Sequence, residues 1–484
     1  MQGNMGRNLR WLMMVPQLAV LVCAGQSGAL DRRFNPEELR EDVEAVRKAI
    51  HHLHPDPYRY ATSAVLDQRF DSLSASLALP ITATQFQMRL AQLLCTVGDA
   101  HLRVALPADL EHDLRRSTPL LPAKVRIIDG ALYLEEELMG FRSIPPGNRV
   151  RRINGIAVER LLMELSAQVS TDGQDRAYVE RVVERDFTYL LAVRHGTPAQ
   201  YVIEHTGTDE ALRTSVLQAL TGEEIDRSYR PAIAPLRPWR LEAYEEEHAG
   251  WLILRTLDRD SLSSEGIDPE RHVDLMLQEL RSKELRTLVI DVRGAGGADL
   301  GMAELVFSLI AKEPYRVVQG ISMRQPEGTR DGPAPVYASV GERSLPPGDG
   351  AVQVPADDPR LAYAKPYVKA FQGKVYVVCD GLTRDAGAAF VMLSRRSGRA
   401  RIVGEEVGSN SRSFCGGKEQ HIELPRSKVR LVLPLTRFVP EGQGDGPADH
   451  GEQPHHAVFQ QPWGLVKGRD TVKSALLEMI RELQ

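Results

Sequence analysis

Leu288-Val-Ile-Asp-Val-Arg-Gly-Ala-Gly-Gly297 and Lys374-Val-Tyr-Val-Val-Cys-Asp-Gly-Leu-Thr-Arg-Asp-Ala-Gly-Ala-Ala-Phe390 share one grammar. Each is a short run rich in Val and Ile, which reads as a buried strand, followed by a tight turn and a helical segment. The helices are expected at Ala298–Lys312 and Ala386–Arg396. Gly250–Arg255 reads as a further strand, His272–Lys283 as a helix and Arg401–Gly404 as a strand. Strands alternating with helices predict an α/β unit with a largely parallel sheet. The stretch 322–366, rich in Pro, Gly and Asp, is expected as a long surface excursion.

Working outward, the texture changes twice. Residues 120–205 carry short strands such as Ala123–Ile128 and Ala131–Leu134, with an Asn154-Gly155 hairpin turn. Residues 30–110 look helical: Leu39, Val43, Val46 and Ile50 form one stripe behind Asn35-Pro36-Glu37-Glu38, and Phe86, Leu90, Leu93 and Leu94 form another that ends at Gly98. The expected division is an N-terminal helical cap at 30–115, a β-rich insert at 116–235 and a C-terminal α/β core at 236–484, an α+β multidomain chain. Residues 1–29 read as an export signal: Arg7 and Arg10, an apolar stretch from Trp11 to Gly25, then Ser27-Gly28-Ala29 as a cleavage site. That stretch is shorter than the roughly 20 residues of a permanent span. The expected destination is therefore periplasmic or extracellular, with no stable membrane span once the signal is removed.

The 484 residues, at roughly 150 per domain, suggest about three units. With 60 Lys and Arg against 65 Asp and Glu there is no general basic field, so a nucleic-acid partner is disfavoured. Cys95, Cys379 and Cys415 remain after the signal, an odd number that makes no disulfide framework; Cys379 reads as a buried strand thiol with Cys415 its conceivable partner. His51, His52 and His54 lack a recurring acidic or cysteine companion, so no metal is expected, and no cofactor. A dinucleotide turn would need glycine where Asp299 stands.

Three segments could carry chemistry. The glycine turn 294–297 offers backbone N–H groups to a developing oxyanion, and residue 385 falls at a helix start, where a nucleophile can be exposed. Cys95-Thr-Val-Gly-Asp-Ala-His101 ends a helix with an imidazole. Taken together they resemble the C-terminal-processing, or tail-specific, serine peptidase family with its tricorn-like and retinoid-binding-protein-like relatives. Gly98-Asp-Ala-His101 is similar to its "GDGH", Asp291–Gly297 to "DLRGNGGG", Thr383-Arg-Asp-Ala-Gly-Ala388 to "T-x-S-A-x-E", Ile402–Gly408 to "IGE-x-T-x-G" and Asp449–Pro454 to the terminal motif. Ile144–Val158 resembles a PDZ signature.

The resemblance implies a PDZ-like insert, a crotonase-like ββα peptidase core and substrates that are peptides or unfolded polypeptide tails. It also implies His101 as general base, Asp449 as the acid orienting it, and the N–H groups of Gly296, Gly297 and Ala386 as oxyanion donors. The nucleophilic serine falls on Asp385 and its companion glutamate on Ala388. A carboxylate with an ordinary pKa near 3.9 is ionised at neutral pH and attacks amides poorly, and its acyl form would be an anhydride. The expected protein is thus a peptide-binding homologue with little serine-type turnover. The alternatives are a displaced nucleophile (Thr383, Ser394, Ser409, Ser411, Ser413 or Cys415) and a carrier of small hydrophobic ligands, which would need a large apolar pocket away from His101. The sequence leaves the oligomeric state open.

Overall fold

The computed structural model describes residues 32–138, 142–228, 237–324, 351–444 and 446–482. The export signal expected at 1–29 lies outside them. Among the described residues no helix is long and apolar enough to cross a membrane.

The cap is built from α1 (Pro36–Leu53), α2 (Ser63–Ser76) and α3 (Ala83–Leu94). The reasons are local. Asn35 and Glu38 form a capping box with Pro36 in the first turn of α1, and Thr82 with Gln85 forms another at α3. Leu39, Val43, Val46, Ile50, Phe86 and Leu90 bury the expected stripes. After α3 the chain turns at Gly98, passes His101 and enters β1 (Arg103–Ala105).

The β-rich unit contains β2 (Ala123–Ile128), β3 (Ala131–Glu137), β4 (Arg149–Ile153), α4 (Val158–Ser166), α5 (Arg176–Arg185), α6 (Phe187–His195), β5 (Gln200–Thr206) and β6 (Leu212–Gln218). Its strands form an antiparallel sheet ordered β6-β5-β4-β3-β2. Asn154 and Gly155 both take positive φ (48° and 77°), the conformation a two-residue hairpin turn demands. Three helices between 158 and 195 correct the expectation of strands throughout this region. Val158, Leu161 and Leu165 lie three and four apart and bury one face of α4, a helical period that the neighbouring strand runs obscured.

The core sheet holds β7 (Trp239–Tyr244), β8 (Ala249–Leu254), β9 (Thr287–Asp291), β12 (Lys374–Cys379), β13 (Arg401–Gly404) and β16 (His456–Ala457), in that order. All neighbours from β8 onward are parallel. Helices α7 (Pro269–Ser282), α8 (Gly301–Ser308) and α9 (Ala386–Arg396) connect them, and α10 (Thr471–Glu482) follows. Val289, Ile290, Val377 and Val378 are fully buried, as a doubly covered parallel sheet requires. A second, antiparallel sheet runs β11 (Ala351–Gln353), β10 (Val318–Arg324), β15 (Arg430–Pro440), β14 (Phe414–Glu423). Part of the expected surface excursion is therefore strand; residues 325–350 lie outside the described residues.

One pairing decides where the site can be. β1 of the cap adds to β15 of the core, with Val104 opposite Leu431, and cap side chains share one hydrophobic cluster with Leu424, Val429, Leu431 and Leu433. The chain just after His101 is thus fixed to the core by a ladder and by packing.

Candidate active centre

Asp385 stands at the N-terminal boundary of α9 with φ 52° and ψ −120°. This is a strained conformation for a residue with a Cβ, and it is the geometry of a sharp strand-to-helix elbow. The turn is held from three sides. Asp385 N–H donates to Ser409 Oγ (3.0 Å), Arg384 N–H to the Ala295 carbonyl (3.0 Å) and Ala386 N–H to the Gly297 carbonyl (3.2 Å). Thr383 Oγ donates to the Val292 carbonyl (2.9 Å), stitching the elbow to the turn after β9.

From the cap, His101 Nε2 meets Asp385 Oδ1 at 2.7 Å. The residues are 4% and 7% exposed. Asp99 lies behind the ring: its Oδ1 accepts the His101 backbone N–H at 2.7 Å and is 3.7 Å from Nδ1, while its Oδ2 is 2.9 Å from His54 Nε2. Gly98 makes this corner possible, since it has φ 73° and a Cβ there would lie 2.5 Å from the Tyr60 ring. On the opposite side β14 crosses the pair, where a Cβ on Gly416 would lie 2.9 Å from Asp385 Oδ1.

The electrostatics follow from burial and pairing. Burial pulls the His101 imidazolium down, but the Asp385 carboxylate, aided by Asp99, more than offsets it and holds its pKa well above the ordinary value. Burial pushes Asp385 up, and His101 with Arg384 brings it below the usual carboxylate range. Asp99 is likewise held well below that range, against its burial, by the neighbouring His101 and His54 rings. The centre is an imidazolium between two carboxylates.

The structure brings His101, Asp385 and the 296–297 turn together. A Cβ on Gly296 would be 3.8 Å from Asp385 Oδ2. The N–H groups of Gly296 and Gly297 donate to no group among the described residues, whereas the Ala386 N–H, expected as an oxyanion donor, is occupied by Gly297. Asp449 is not the acid at His101 Nδ1. Its carbonyl accepts from Gln174 N–H (2.9 Å), and the carboxylate beside Nδ1 belongs to Asp99, two residues from the imidazole and already in the quoted Gly98-Asp-Ala-His101.

Of the displaced-nucleophile residues, Thr383, Ser409 and Ser413 have their hydroxyls engaged elsewhere, whereas those of Ser394 and Ser411 are buried without a hydrogen-bond partner among the described residues. Ser409, Ser411 and Ser413 are at most 5% exposed. Ser409 Oγ serves the elbow, and Ser413 Oγ accepts from Arg59 and Arg437. Cys95, Cys379 and Cys415 are free thiols, and burial pushes the Cys415 thiol well above its usual range. His54, Asp99 and Cys415 place ligand atoms within 4.8 Å of one another. Yet His54 Nδ1 accepts the Asp56 N–H (3.2 Å), which leaves Nε2 as the nitrogen facing Asp99 Oδ2 at 2.9 Å.

Residues 261–456 match the family model described as Peptidase family S41. Among solved structures, the chain is similar to mature CPAF complexed with lactacystin, at 15% identity over 93% of this chain and 98% of that one, TM-score 0.64. It is also similar to mature CPAF (14%, 92% and 96%, TM-score 0.63) and to a CPAF mutant (13%, 92% and 96%, TM-score 0.66). At these identities the likeness establishes a shared fold. Comparison with curated proteins finds no match.

Proposed function

We propose that this chain is an exported homologue of family S41 peptidases that binds peptides or unfolded protein tails and lacks serine-type turnover. One observation carries the reading: the elbow where a nucleophilic hydroxyl would stand holds the Asp385 carboxylate, ion-paired at 2.7 Å to the imidazole that would act as general base. The base is already protonated, so it has no capacity to activate a nucleophile. The carboxylate's fixed charge opposes an oxyanion forming beside Gly296, which removes the largest usual source of acyl-transfer catalysis. The β-rich insert is PDZ-like in this reading, and an extended peptide adds to an edge of its sheet.

The test is hydrolysis of unfolded protein substrates by the chain from residue 30. We expect no cleavage by the native sequence and cleavage by Asp385→Ser, in which His101 regains a hydroxyl partner. Native cleavage that Asp385→Ala abolishes would overturn the reading. The carrier alternative finds a cavity of about 570 Å³ whose lining does not include His101 and mixes Ile127, Leu162, Met163 and Val169 with Asp175 and Glu180. No aromatic side chain lines it, and the peptide reading remains the better supported one.

A further inference from the structure

The loop between α4 and α5 reaches out of the β-rich unit into the centre. Ser170 Oγ donates to the Asp99 carbonyl (2.7 Å), Gly173 N–H to the Gly98 carbonyl (3.4 Å) and Gln174 N–H to the Asp449 carbonyl (2.9 Å). Tyr178, on the first turn of α5, donates to the Ala100 carbonyl (3.4 Å) and accepts from Arg384 (3.2 Å). Within this loop Asp172 is 1% exposed. Its Oδ1 accepts the Ala100 N–H at 3.1 Å and its Oδ2 the Asn410 N–H at 3.2 Å.

Those two donors have a particular place. Ala100 precedes His101, and Asn410 follows Ser409, whose hydroxyl accepts the Asp385 N–H. One carboxylate from a third unit therefore joins the segment carrying the imidazole to the segment supporting the elbow. We propose that Asp172 is a positioning residue of this centre, setting the separation of His101 and Asp385 by binding both flanking segments at once. The argument is geometric and holds whether or not peptides are bound or cleaved.

The chemistry is specific to a carboxylate. Burial and the neighbouring Asp99 push Asp172 up to about 6, so at neutral pH it is ionised and offers two acceptor oxygens. Asparagine has the same shape but turns an N–H₂ toward one of the two N–H donors, so one bond is lost and replaced by repulsion. Asp175 provides the control within the same loop. It is equally buried, but its carboxylate caps α5 by accepting Tyr178 N–H (2.9 Å).

The experiment uses the chain from residue 30 with Asp172→Asn and Asp175→Asn, read by amide hydrogen exchange over 97–103 and 408–412 and by the imidazole NMR signals of His101, assigned with His101→Gln. Asp172→Asn should accelerate exchange in one or both segments by about tenfold or more and shift the His101 signals and their titration. Asp175→Asn should leave both unchanged. An Asp172→Asn protein that keeps its protection and its His101 signals would overturn the proposal. Equal loss in both variants would overturn it as well, by showing general loosening of the loop.

Discussion

Asp291 and Asp385 lie at the same end of the parallel sheet, one closing β9 and the other in the turn after the adjacent β12, and both are buried carboxylates. Their partners differ in origin. Asp291 is caged by residues from its own sheet region: Arg293 two positions on, Arg255 just past β8 and Trp251 within β8 (2.7, 3.1 and 3.3 Å). Although burial pushes its carboxyl up, Arg293 and Arg255 hold it far below its usual range. Asp385 instead faces an imidazole delivered by another unit across a junction of three. A carboxylate satisfied within its own turn is structural, whereas one whose partner is imported depends on the whole assembly, and that is where chemistry can be gained or lost.

This contrast can be broken experimentally. The largest effect is expected from His101→Ala, which leaves Asp385 buried without its counter-charge and should cost about 3–5 kcal/mol in urea unfolding. Adding Asp385→Ala should recover much of that loss, and a double-mutant cycle showing no coupling would refute the pair's importance. Asp291→Asn should cost less, about 2 kcal/mol. The Arg255 side chain is 38% exposed and can rehydrate, and Arg293 keeps Asp470 at 2.7 Å. If Asp291→Asn proves the more damaging, the distinction between local cage and imported partner fails.

The smallest effect is the pH dependence of the pair. The raised His101 pKa contributes stability that is fully present below the unfolded value of 6.5 and is lost as pH rises through the higher folded value. The lowered Asp385 pKa contributes stability present above 3.8 and lost as pH falls through its folded value. The full contribution therefore spans roughly pH 4–6.5 and fades on the alkaline side, by at most about 1.4 kcal/mol per pH unit. Native minus Asp385→Asn stability, measured from pH 5 to 10, should fall with rising pH; a flat difference would contradict the ion pair.

Much of this was legible in the chain. The strand-turn-helix units around 288–297 and 374–396 are encoded by runs of Val and Ile that stop at glycine, and Asn154-Gly155 specifies its turn through the positive φ both residues adopt. His101 and Asp385 are legible because one follows α3 and the other opens α9, each within a recognisable motif. Asp99 was overlooked although it lies two residues from His101, because the family pattern pointed to an acid at the far end of the chain. Asp172 gives no sequence signal: an Asp beside Gly173 reads as an ordinary turn residue.

The sequence by itself determined most of the core's elements, the elbow and the carboxylate that stands on it, since these follow from periodicity, turn chemistry and residue identity over short spans. Tertiary structure alone decided that Asp99 rather than Asp449 backs the imidazole, that Gly297 occupies the Ala386 N–H and that Asp172 ties the two segments together. Such contacts join positions as far as 238 residues apart. Their formation depends on β1 docking against β15 and on the 170–175 loop entering the junction, and buried hydrogen-bonding groups take whichever partners that packing supplies.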